Sequence, residues 1–250
     1  MSMCAFRGRW VARWAIIGLR HPDDMRPRIA LRGEEHLAQA TGGTILIGVH
    51  LGLPSPVIAL RVMGHRVAWF GGGRVSRGWS RRAWLPFQDA SENVTLAAPE
   101  PSGTVRALHR ARRALLDGGT IFMMGDGGSG KEAFRVPLPG GPLFINKGWL
   151  ALGRETGARV LPVLTHLEGR TQVVTIHPPL PVGAAEPERD RAACREVLSA
   201  LLADFVRRFP EQCPRLVFRP PAEAVLLAGE ARRRAEAQAV TRSDGPGRSG

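Results

Sequence analysis

The stretch GTILIGVHLGLPSP, residues 43–56, decides how the chain is read. Residues 44–49 are apolar and rich in β-branched side chains, the pattern of a buried strand. The run stops at His50, and Gly52 and Pro54 follow it closely. Proline fits the first turn of a helix, where its missing N–H leaves no bond unmade. His50 therefore stands where a strand hands over to a helix, at the carboxyl edge of a sheet. In open α/β sheets ligands bind along that edge. An imidazole there can take a proton from a hydroxyl near neutral pH. The same position also suits a histidine that only ends its strand and bonds a carbonyl.

Outward from this stretch, buried strands are expected at 29–31, 67–70, 120–124, 159–165 and 171–176, with a weaker one at 94–97. Helices are expected at 33–40, 56–63, 101–117, 143–156 and 186–209. In the helix 101–117, Val105, Leu108, Leu115 and Leu116 are expected to face inward and Arg106, Arg110, Arg112 and Arg113 to face solvent. In 186–209 the inward set is Val197, Leu198, Leu201, Leu202 and Phe205. Alternating strands and helices imply an α/β fold, with a mostly parallel or mixed central sheet covered by helices on both faces. Residues 21–28, with Pro22 and Pro27, read as a linker, and 134–139 (FRVPLP) as extended chain, because Pro137 and Pro139 forbid a helix.

Composition narrows the partners. The formal charge is +13, and only Lys131 and Lys147 of the 35 cationic side chains are lysines. Arginine suits phosphate by its planar fork, so nucleic acid, a phospholipid surface or a phosphorylated carrier fit best. A hydrophobic content of 44% supports a sizeable core. Cys4, Cys194 and Cys213 are widely spaced, which gives neither a disulfide framework nor a metal pattern and fits a reducing compartment. No segment reads as a signal peptide. The charge-poor run 36–60 is broken by Gly42, Gly43, Pro54 and Pro56, so any membrane association is expected to be peripheral.

Two stretches suit a membrane surface. Residues 3–19 form an amphipathic helix with Phe6, Trp10, Trp14 and Ile17 among arginines. Residues 79–87 (WSRRAWLPF) mix Trp79 and Trp84 with Arg81 and Arg82, which also suits base stacking. No helix-turn-helix, RNP or zinc pattern accompanies them, so nucleic acid is not the expected partner.

Two loops could touch a ligand. Residues 71–74 (GGGR) follow a strand, and Arg74 or Arg77 could hold an anion there. Residues 125–131 (GDGGSGK) place Gly125, Gly130 and Lys131 as in a phosphate-binding loop, but Glu132 stands where a hydroxyl is needed. The chain then runs into FRVPLP and not into a helix, which removes the helix N-terminus that cradles phosphate. Asp126, just past a buried strand, shares an edge with His50. It can orient an imidazole, place a substrate hydroxyl, or simply bond its own turn.

The segments IALRGEEHLAQATGGTILIGVHLG (29–52), LLDGGTIFMMGD (115–126), FRVPLPGG (134–141) and GWLALGRETGARVLPVLT (148–165) together resemble the lysophospholipid acyltransferase superfamily. Within it they look most like the lipid A biosynthesis (lauroyl/myristoyl-type) acyltransferases. The order and spacing of all four motifs carry the resemblance. It implies an α/β enzyme on the cytoplasmic face of the inner membrane, moving an acyl chain from acyl carrier protein or coenzyme A to a lipid hydroxyl. No further cofactor or metal is implied. The family signature is a histidine, four residues, then an acid. His50 matches the base, but Ser55 stands at the acid position.

By the same resemblance Asp126 falls in the family's strand-end motif and is the first candidate for a compensating acid, ahead of Glu168 and Asp89. Arg74 and Arg77 fall where the family holds anionic head groups. Residues 134–141, including Phe134, Arg135, Pro137 and Gly140, match an extended segment near the acyl pocket and, with Gly52 and Gly125 beside the base and the acid, are the implied substrate-binding residues. The implied organisation is a surface helix and linker (1–24), a catalytic domain (25–222), and a C-terminal helix (223–236) with a patternless tail. A catalytically impaired relative that still binds lipid or acyl carrier is the alternative.

Overall fold

Thr44, Ile45, Leu46, Ile47 and Gly48 are buried without alternation, as a strand covered on both faces must be. The computed structural model describes residues 22–38, 42–52, 56–70, 101–126, 133–183 and 185–213, all within the unit Met1–Pro214. Its strands are β1 (Ile29–Arg32), β2 (Thr44–Gly48), β3 (Ala68–Phe70), β4 (Thr120–Met124), β5 (Ala133–Val136), β6 (Leu143–Asn146), β7 (Arg159–Glu168) and β8 (Thr171–Ile176). Its helices are α1 (Pro22–Met25), α2 (Glu35–Ala38), α3 (Pro56–Val62), α4 (Pro101–Leu116), α5 (Gly148–Thr156) and α6 (Pro187–Arg208). The expected helix at 3–19, the stretch 71–100 with its strand at 94–97, and residues 214–250 lie outside the described residues.

Six strands form one sheet in the order β1-β8-β7-β2-β4-β3. All neighbours are parallel except β7 and β8. The sheet is therefore mixed and mostly parallel, as the alternation of elements implies. Leu46, Phe122 and Leu161 sit side by side in register and pack under Val57, Ile58, Leu60 and Val62 of α3. Their neighbours Ile45, Ile121 and Val160 point to the other face by the pleat. There α4 and α5 cover them, with Gly153 of α5 lying directly against Val160. Helices thus close both faces.

Several expectations need correction. Of the expected linker 21–28, residues 22–28 are folded: α1 is followed by a 3₁₀ turn, Arg26–Arg28. Met25 is buried in the α3 cluster, and the Arg26 guanidinium donates to the Val62 carbonyl. Residues 143–156 are not one helix. Leu143–Asn146 alternates buried and exposed side chains as β6 and pairs antiparallel with β5. The helix starts only at Gly148 and ends at Gly157, whose φ of 67° is the left-handed conformation that closes a helix. Strand alternation and helical spacing overlap in so short an apolar run.

The inward face of α4 also differs. Ala107, Ala111 and Leu115 are buried, whereas Val105, Leu108 and Leu116 are 55%, 47% and 53% exposed. Small alanines let the helix approach the sheet closely, and the larger side chains are turned outward. Val197 of α6 is likewise exposed, while Leu198, Leu202 and Phe205 are buried. Arg106, Arg110, Arg112 and Arg113 do face solvent. No helix among the described residues is long and apolar enough to cross a membrane.

Buried charge is handled locally. Asp190 of α6 pairs with Arg154 of α5 and accepts the N–H groups of Gly183 (2.7 Å) and Ala185 (2.9 Å). Burial pushes this carboxyl up, but the two backbone donors and the guanidinium outweigh it and hold it below the usual range.

His177, just past β8, is an acid-sensitive group. Burial, helped by the nearby His36, lowers its pKa from 6.5 to about 4. The unfolded chain takes up that proton first, so it binds more protons between these values and stability falls as pH falls. Urea midpoints measured from pH 7 to 4 should decline over that window, and His177→Gln should flatten part of the slope.

Candidate active site

β2 and β4 run parallel with Gly48 opposite Met124. Two residues further on, the same register puts His50 opposite Asp126. The Gly125 N–H donates to the Gly48 carbonyl at 2.8 Å. At the next step a side chain takes over from the backbone ladder: the His50 N–H donates to Asp126 Oδ2 at 2.9 Å. The other oxygen of that carboxylate, Oδ1, lies 2.7 Å from His50 Nδ1. One carboxylate thus holds both the main chain and the ring of His50.

Solvent access divides the pair. The Asp126 side chain is 3% exposed and the His50 side chain 37%. A carboxylate only accepts, so Nδ1 carries the proton of this bond, and in the neutral imidazole Nε2 is the nitrogen left with a lone pair. Nε2 makes no hydrogen bond to another described residue. It can accept a proton from a bound hydroxyl, and Asp126 then faces the imidazolium that forms. The Gly125 carbonyl accepts the Asn146 N–H at 2.7 Å, which ties the β5–β6 hairpin to the strand end.

Gly52 lies on the β7 side of the same turn. Its φ is +70°, and a Cβ there would stand 1.8 Å from the Thr165 carbonyl oxygen and 2.9 Å from Phe205 Cζ. Only glycine lets the chain pass so close. Phe134 is buried edge-on to Trp149, ring centroids 6.1 Å apart. Arg135 is exposed on the opposite side of β5. Pro137 and Gly140 lie beyond the Val136–Leu143 pair, at the closed end of the hairpin. The Ala133–Asn146 pair, three residues earlier, is the end next to Gly125. The two ends are roughly 10 Å apart along the strand. The turn Gly125–Asp126 leads, past residues 127–132, into a strand and not into a helix.

Ser55, Arg74, Arg77 and Asp89 lie outside the described residues. Glu168 is engaged elsewhere, by Arg32 through both oxygens (3.0 and 2.9 Å) and by His166 at 2.8 Å. The His166 bond first and then Arg32 hold its carboxyl below the usual range. Burial pushes the Cys194 and Cys213 thiols up to about 12, so neither is a nucleophile near neutral pH. Among the described residues no cluster of three or more histidines, cysteines or acids is placed to hold a metal. Sequence reasoning gives Asn146 and Thr165 no part in the site and reads Phe205 only as part of the inward face of its helix. Their part comes from strand pairing and helix packing, which leave no local signal.

No family model matches the chain, and no curated protein matches it. Among solved structures it is similar to the crystal structure of the 1-acyl-sn-glycerophosphate (LPA) acyltransferase PlsC from Thermotoga maritima. The two are 17% identical, the match covers 73% of this chain and 72% of that chain, and the TM-score is 0.47.

The contact at Gly52 can be isolated by comparison with Gly64, which also has a positive φ (+99°) but open space around its Cβ position. Gly64→Ala should carry backbone strain alone, about 1 kcal/mol. Gly52→Ala should cost at least about 2 kcal/mol, because the Thr165 carbonyl must also move. Urea denaturation of both variants measures the difference.

Proposed function

We propose that this chain is an acyltransferase, moving a fatty acyl chain from a thioester of acyl carrier protein or coenzyme A to a hydroxyl of a lipid or glycolipid. The observation that carries the reading is the two-point hold of Asp126 on a solvent-accessible His50 at the carboxyl edge of the sheet. The order of the four sequence motifs supports the reaction class.

In this reading His50 Nε2 takes the proton of the acceptor hydroxyl as its oxygen attacks the thioester carbonyl. The tetrahedral intermediate collapses, the carbon–sulfur bond breaks, and the departing thiolate takes the proton back from the imidazolium. Asp126 fixes the ring tautomer and offsets the positive charge while it lasts. It does from the neighbouring strand what an acid at position 55 would do from the same loop. Arg74 and Arg77 would hold the anionic head group of the acceptor. The acyl thioester is a co-substrate, and no resident cofactor is called for. The net charge of +13 suits peripheral attachment to the anionic cytoplasmic face of an inner membrane.

Thiol release from an acyl thioester, measured with anionic vesicles carrying a lipid acceptor, tests this. His50→Ala should lower turnover by at least about 10². Asp126→Asn should lower it by about 10⁴, because an amide no longer selects the Nδ1–H tautomer. Ser55→Asp should leave it within about twofold, since the acid is already supplied. Full activity in His50→Ala would falsify the mechanism. A silent wild type awakened by Ser55→Asp would identify a relative that has lost catalysis and kept its binding surface.

A further inference from the structure

β7 runs on after β2 has left it. Their pairing ends at Ile47 and Pro162, whereas β7 continues to Glu168 with β8 along its other side. On the vacated side, buried backbone groups of β7 need new partners. At Leu167 they are supplied by Gln212, which is buried. Its Oε1 accepts the Leu167 N–H at 2.7 Å and its Nε2 donates to the Leu167 carbonyl at 3.0 Å. The side-chain amide takes the place of a peptide unit from an absent strand. The main-chain carbonyl of the same residue accepts the Gly52 N–H at 2.9 Å. Gln212 therefore bridges the bare edge of β7 to the turn that carries His50.

The end of α6 backs this bridge. Phe205 lies against Gly52, and Phe209 stacks on His166 of β7 with ring centroids 4.1 Å apart. The 3₁₀ turn Pro210–Gln212 then delivers the amide. We propose that Gln212 is a positioning residue for the site: it sets the height of residues 50–52 against β7, so that His50 meets Asp126 on the other side. The inference rests on the reading of His50 as the base. It concerns a residue 162 positions further along the chain that touches none of the reacting atoms.

The test combines backbone amide exchange by NMR with thioester turnover, on the full chain. The variants are Gln212→Ala, Gln212→Glu, and Leu198→Ala as a control for simple loss of stability from the buried face of α6. The His50 amide should exchange at least about tenfold faster in Gln212→Ala than in Leu198→Ala, while Phe122 in β4 is unchanged between them. Turnover should fall about ten- to a hundredfold at a nearly constant KM, the effect of a misplaced base. Gln212→Glu keeps the acceptor and loses the donor, so it should fall between; if Gln212→Ala does not fold, it carries the comparison. Equal His50 exchange in Gln212→Ala and Leu198→Ala would overturn the proposal, as would a wild-type His50 amide that exchanges without protection. Should the wild type transfer no acyl chain, the exchange arm still decides the positioning role and only the catalytic reading falls.

Discussion

The parallel, in-register pairing of β2 with β4 is the constraint on which the site depends. Side chains in a strand alternate between faces, so a shift of one residue would send the Asp126 carboxylate to the other side of the sheet. The register is held by burial. Leu46 beside Phe122, and Ile45 beside Ile121, are each committed to a different hydrophobic layer. A slip would expose or overpack both layers together. The same burial that stabilises the sheet therefore places an acid from one strand end against a base from the next.

Polar groups follow the same logic at the edge of the sheet. Where backbone pairing stops, side chains complete it: Asp126 continues the ladder from β4, and Gln212 continues it along β7. The segment 50–52 is thus gripped from both flanks, and its glycine is the one residue type that fits the gap beside Thr165. The ring of His50 stays open to solvent, while the groups that hold it are buried. In the proposed reaction the bond to the ring is therefore already made and need not be assembled at the moment of transfer.

Much of this was legible in the sequence where chemistry is local. The β-branched run 44–49, the alternation of strands with helices, and the placing of His50 and Asp126 at strand ends all follow from residue type and spacing. What failed was of two kinds. Short apolar runs are ambiguous, so by spacing alone Leu143–Asn146 reads as the start of a helix. On α4 size points to Val105, Leu108, Leu115 and Leu116, whereas packing buries Leu115 with the alanines Ala107 and Ala111. That Asp126 and not Glu168 would meet His50 could be guessed from shared edges, but it needs the strand order, in which β2 neighbours β4. Gln212 carried no signal at all, since its partners are defined only once β7 outruns β2.

The separation of His50 from Asp126 by 76 positions has an evolutionary consequence. When acid and base share one loop, every insertion or substitution in that loop threatens the chemistry directly. Here the two halves are borne by different secondary-structure units and are joined only by tertiary assembly. In the proposed mechanism the positions between Gly52 and Pro56 need supply no carboxylate, which leaves them free to drift toward other duties.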